Sequence, residues 1–253
     1  MRNLTTILSL LVLLTPATAQ AKRIDKLSTG QLISELKNSS KPERRIEAAQ
    51  RLAETGAREA TAVLGGICSS APPEAVCVAA IEALDALGTS EALTHIQKVL
   101  ELKSAPTSGR SQALAVLMKS DEPRLRESIP RLFKVYSDIP PSLLSELMVS
   151  TRLLELTDLA DAAVFIASDE NLDLGARLAA LDTAEQFGPA RLYQAHQALM
   201  RAKDSKVRAR CAEALGSPGL PASEVVPLLK QVVRLDPEGY VRAAAINALS
   251  QYT

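Results

Sequence analysis

Apolar residues recur along this chain at i, i+3, i+4 and i+7, the spacing that lines one face of an α-helix. Ile46, Ala49 and Leu52 form one such stripe, and Val241, Ala245 and Leu249 another. Ala and Leu dominate the apolar content, both good helix formers, while the β-branched and aromatic clusters of strands are missing. The pattern predicts an all-α fold.

The stripes are copies of one another. RRIEAAQRLAETG from Arg44, VCVAAIEALDALG from Val76, ARLAALDTAEQFG from Ala176, VRARCAEALG from Val207 and VRAAAINAL from Val241 share a register. Anchored on the residue seven before the key Leu or Ala, they fall on Arg45, Cys77, Arg177, Arg208 and Arg242, with weaker copies near Arg110 and Leu144. The period is roughly 33 residues. A fixed period of that size marks a solenoid, in which each unit buries its apolar face only against its neighbours. About seven helix pairs account for residues 22–253.

Each stripe is the second helix of a pair. First helices are predicted over Gln31–Lys37, Glu59–Cys68, Glu91–Lys103, Leu159–Ala167, Ala190–Ala202 and Ser223–Leu235. Turns rich in Ser, Asp and Pro separate the two, such as Ser39 to Pro42, Ala71 to Pro73, Ile139 to Pro141 and Asp236-Pro237, residue types that cap helices or open their first turn. Gly56, Gly88 and Gly188 stand where a left-handed C-cap would close the second helices. Pro130 interrupts a helical stretch, where a kink or a split is expected.

With Val-Arg, then Ala, then Ala-Leu-Gly in the second helix, the units resemble HEAT repeats of the short, phycobilisome-lyase-like group. The likeness is clearest at Asp204 to Gly216 and Pro237 to Leu249, good at Pro42 to Gly56 and Pro73 to Gly88, and poor between Ser108 and Thr157. It implies an α-α superhelix whose second helices line a concave surface. It also implies an architectural role for the recurring Arg, paired with an Asp of the preceding turn, for which Asp169, Asp204 and Asp236 are placed. A ladder for an acidic polymer is the competing use of those guanidinium groups. The resemblance does not bring lyase activity with it, since fold alone licenses no reaction.

Charge and composition narrow the function. Lys plus Arg and Asp plus Glu both number 29, Trp is absent, and there are three Phe and four Tyr, so the chain offers neither a basic footprint nor stacking aromatics for nucleic acid. At the start, Arg2, the apolar run Ile7 to Leu14 and small residues around Pro16 read as a signal peptide over 1–21, cleaved after Ala19 or Ala21. The run is too short to span a bilayer. A mature chain in the periplasm or outside the cell is therefore expected, not embedded in a membrane.

Candidate binding residues come from the fifth and eighth positions after each anchor. Glu82 with Asp85, Asp182 with Glu185, and Glu213 make an outward stripe, joined by Gln50, Asn247 and Ser250. Ala115, Met118 and Val149 take the same place in the middle. A groove acidic toward both ends and apolar at its centre would suit a protein or peptide partner, apolar contacts supplying affinity and rim charges tuning encounter. Such a partner is the expected ligand, and ordinary solvated charge is the alternative.

Cys68 and Cys77 flank one turn and could form a disulfide in an oxidising compartment or remain two buried thiols. Cys211 occupies a small-residue position held elsewhere by Ala. His95 and His196 lie about three repeats apart, without zinc-site spacing, so no metal is expected, nor any cofactor. No nucleophile elbow, phosphate loop or paired-His motif occurs, and the chain reads as a non-catalytic scaffold. Two rival readings remain. A lyase-like accessory protein would hold a chromophore among Phe133, Tyr136, Phe165, Phe187 and Tyr193, and a structural array of an envelope complex would expose Leu27, Leu32 or Tyr252 at its ends.

Overall fold

Most helices of this chain begin where the sequence supplies a cap or a proline. The computed structural model describes residues 24–252, so the signal peptide at 1–21 lies outside the described residues. All the regular structure among the described residues is helical.

The chain divides into two compact units, one running to Val99 with Ser104–Gln112, the other comprising Leu100–Lys103 and the residues from Ala113 onward. In the first, α1 (Thr29–Asn38) packs on α2 (Pro42–Glu54), α3 (Thr61–Ile67) packs on α4 (Glu74–Leu87), and α2 lies against α4. A capping box starts α1: the Ser28 hydroxyl accepts from the Gln31 backbone N–H, and the Gln31 side chain accepts from the Ser28 N–H. Pro42 opens α2, where its missing N–H has no helical partner to lose. Leu32, Leu36, Leu52, Leu64, Ile81 and Leu84 are fully buried, each contributing about 2 kcal/mol of apolar transfer. Two further helices, α5 (Ser90–Glu101) and α6 (Thr107–Ser120), run across the division between the units.

The second unit continues with α7 (Glu122–Phe133), α8 (Pro141–Leu153), α9 (Ala160–Ser168), α10 (Leu174–Phe187), α11 (Pro189–Leu199), α12 (Ser205–Ala214), α13 (Ala222–Leu235) and α14 (Gly239–Leu249). Its second helices form a row, α8 on α10, α10 on α12 and α12 on α14, while α9 and α11 pack in the first-helix layer. Asp121, Asp173 and Asp204 cap α7, α10 and α12 with their carboxylates.

Several expectations are corrected here. Gly56 and Gly88 do adopt left-handed backbone, at φ +64° and +61°. Gly188 is extended at φ −171°, because α11 starts at the very next residue and leaves no room for a left-handed turn. Helix α7 is not split at Pro130 but continues to Phe133. Nor are the foreseen residues exposed: Leu32 of α1 is buried, Leu27 is half-buried, and Tyr252 is half-buried with its hydroxyl donating to the Leu215 carbonyl at 2.7 Å. The large apolar side chains exposed near the C-terminus are instead Leu235, Tyr240 and Ile246.

Candidate functional site

The recurring anchor arginines are consumed by architecture. Arg45 donates from Nε to the Leu36 carbonyl at 2.9 Å, and Arg177 to that of Ala167 at 3.0 Å. Arg208 donates from Nη1 to Ala202 and Lys203 at 2.9 and 3.1 Å, and Arg242 from Nη1 to Asp236 and Pro237 at 2.9 and 2.8 Å. Every acceptor sits at or just past the C-terminus of the first helix in the same pair, where the last carbonyls lack intrahelical donors. The carboxylate partner differs from the one the resemblance implied. Arg208 pairs with Asp236 of the following turn, through Nε to Oδ2 at 2.8 Å and Nη2 to Oδ1 at 3.2 Å. That pair holds the Arg208 guanidinium above its ordinary value and the Asp236 carboxyl below its own. Arg110 is 3% exposed, and burial lowers its pKa. These groups do not form a ladder for an acidic polymer.

On the outward face of the second helices in the second unit, the expected acidic stripe is a mixed-charge ladder. Arg210 of α12 reaches Asp182 of α10 at 2.7 Å, also pairs with Glu185, and lies 3.9 Å from Glu213. Arg152 of α8 approaches Asp182 from the other side at 3.7 Å. Ser217 donates to Glu185 at 2.8 Å. Burial alone would lower the Arg210 pKa, but Glu185 and Asp182 outweigh it and hold the cation above its ordinary value. The ladder therefore stitches three successive second helices together.

Apolar and neutral ground lies at either end of it. Val149 is 41% exposed and Leu153 69% exposed on α8, while Met118 on α6 is half-buried. Beyond Glu213 a shallow depression of about 280 Å³ opens between α12 and α14, edged by Glu213, Ser217, Asn247 and Gln251 over Gly216, Ala244 and Ala248. Gly216 lets α12 and α14 approach closely there, because a Cβ would stand 3.0 Å from the Ala248 Cα, tighter than an ordinary contact. Glu82, exposed, and Asp85, half-buried, stand on α4 of the other unit.

Elsewhere, the Sγ atoms of Cys68 and Cys77 are bonded, with Cα atoms 5.0 Å apart, tying the end of α3 to α4. Burial pushes the Cys211 thiol up to about 12. Among the described residues no group of three His, Cys, Asp or Glu side chains is placed to hold a metal ion. Of the aromatic residues, Tyr136 meets Phe165 edge-on at 5.9 Å and Tyr193 stacks on His196, two separate pairs.

A family model for HEAT repeats matches residues 30–118 and 165–250, more than half of the chain. The chain belongs to the HEAT-repeat family. No curated protein matches it. HEAT repeats are generally non-catalytic scaffolds for protein interaction, and no helix among the described residues is long and apolar enough to cross a membrane. In this HEAT-repeat protein the unmatched stretch between 118 and 165 holds α7 and α8, helical like the rest. Arg152 and Arg210 are the residues that counting along the sequence passed over. Arg152 stands eight after Leu144, the register that picks out Glu185 one repeat later, and Arg210 precedes Glu213 by one helical turn. Extending the count to basic residues would have found Arg152, whereas Arg210, two residues after its anchor, lies outside that register.

Proposed function

We propose that this HEAT-repeat protein is a non-catalytic scaffold of the bacterial periplasm or exterior, holding a protein or extended peptide along the second-helix face of its second unit. The supporting observation is the ladder from Arg152 through Asp182, Arg210 and Glu185 to Ser217, which fixes side chains of neighbouring helices before any partner arrives. Pre-fixed side chains lose little freedom on binding, so more of the contact energy appears as affinity. Val149 and Leu153 supply apolar contact at one end, and Asn247 and Gln251 supply paired donors and acceptors for a peptide backbone at the other. Placement outside the cytoplasm is supported by the signal-like residues 1–21 and by the Cys68–Cys77 bridge, which an oxidising compartment maintains.

A photocrosslinking amino acid placed at Val149 or Asn247 in cells of the native host should yield the same discrete adduct. Placed at Lys230 on the first-helix side, it should not. Adducts that are equal at all three positions, or absent from Val149 and Asn247, would overturn the assignment of this face.

A further inference from the structure

The two helix layers of the second unit differ in how tightly they close. α12 packs on α14, yet between the first helices α11 and α13 lies a cleft of about 520 Å³, a size that takes a small organic molecule. Met200, Leu215, Leu228, Val232 and Leu235 line it with aliphatic surface. Leu235 is 69% exposed, and Met200, Leu228 and Val232 are only half-buried. Four aliphatic side chains, three from α13 and one from the C-cap of α11, thus face a concave space that they do not fill, which is unfavourable in water.

The polar lining has a definite sign. Arg208 and Asp236 both border the cleft, but they neutralise one another. Arg201 is exposed at the cleft, and no carboxylate among the described residues reaches it. His196 and Gln231 add hydrogen-bonding groups beside it. Phe133, Tyr136, Phe165, Phe187 and Tyr193 are all absent from the lining among the described residues, so a flat conjugated chromophore would find no stacking surface.

We propose that this cleft binds a soluble single-chain amphiphile, its aliphatic chain against Met200, Leu228 and Val232 and its anionic head on Arg201. A free fatty acid has that chemistry. The site lies in the first-helix layer, away from the partner-binding face, and does not depend on that assignment.

The test is calorimetric titration of the purified full chain with sodium decanoate below its micelle concentration, alongside decan-1-ol. One saturable decanoate site is expected, with the alcohol binding more weakly. Leu228→Trp, which fills the cleft, should weaken decanoate roughly tenfold or more. Arg201→Glu should weaken it about fivefold, and Lys37→Glu on α1 should leave it unchanged. Absence of saturable decanoate binding to wild type would overturn the proposal, as would wild-type affinity in Leu228→Trp and Arg201→Glu. Should Leu228→Trp fail to fold, Arg201→Glu at its exposed position decides alone. Cosedimentation with phosphatidylglycerol vesicles that depends on Arg201, without decanoate binding, would assign the cleft to a membrane surface and equally overturn it.

Discussion

Arg177 and Arg152 stand on adjacent second helices, but replacing them should have unequal effects. Arg177 is 4% exposed and donates to the Ala167 carbonyl, so Arg177→Met leaves an acceptor inside the protein without a donor. A loss of about 2 kcal/mol is expected from urea unfolding. Arg152 meets Asp182 at 3.7 Å with a quarter of its side chain in solvent, and Arg152→Met should cost less than about 1 kcal/mol. Asp236 adds a pH dependence whose sign is fixed. Its hydrogen bonds from Arg208, aided by the Glu238 N–H, outweigh burial and hold the folded carboxyl below its ordinary value. The resulting stability is complete above the unfolded carboxyl pKa near about 4 and is lost as pH falls through the lower folded value. Urea midpoints should therefore drop more steeply below about pH 4 in wild type than in Asp236→Asn, which has no carboxyl there to protonate. Equal slopes would mean that the pair contributes no such linkage. The register of these arginines was legible because it repeats; their acceptors were not, because a backbone carbonyl leaves no mark in a side-chain pattern.

At the level of elements, the helices were readable wherever periodicity, caps and prolines agreed, as at Ser28 with Gln31 and at Pro42. The signature fades at α7 and α8 because the anchor there is Leu144, which is buried as apolar packing and makes no carbonyl contact through a guanidinium group. Different bonds serve there: Ser128 donates to Glu101 at 2.6 Å, and Thr183 of α10 donates to the Met148 carbonyl of α8 at 3.3 Å. Such contacts depend on which helix lies opposite, and local spacing does not carry that information. The same limit hid the difference between two neighbouring glycines of α3. A Cβ on Gly65 would overlap the His95 ring and its Cβ on α5, whereas one on Gly66 meets nothing within 4 Å. Gly66→Ala should stabilise by about 0.5 kcal/mol through helix propensity. Gly65→Ala should destabilise by about 1 kcal/mol or more. Thermal unfolding of the two variants side by side checks both signs, and a gain in both would show that α3 and α5 separate without strain.

For the molecule as a whole, the repeat architecture makes stability a sum of local terms, with each repeat held by its immediate neighbours. The Cys68–Cys77 bridge belongs to one such term. It closes a short loop of sequence separation 9, so its loss should release about 2–3 kcal/mol of chain entropy in the unfolded state. The effect should stay local. In Cys68→Ser/Cys77→Ser, amide hydrogen exchange is expected to quicken in α3 and α4 while α12 and α14 of the second unit keep their protection. Uniform acceleration would instead show that the whole chain unfolds as one cooperative block. The bridge also ties stability to compartment. Exported with its first 21 residues, the chain should be recovered bridged and shortened at Ala19 or Ala21, whereas a copy made in a reducing cytoplasm from residue 22 onward should carry free thiols and show the faster exchange of the double Ser variant. A full-length, unbridged chain recovered from the native host would place the protein inside the cell, and the scaffold would then be sought among cytoplasmic partners.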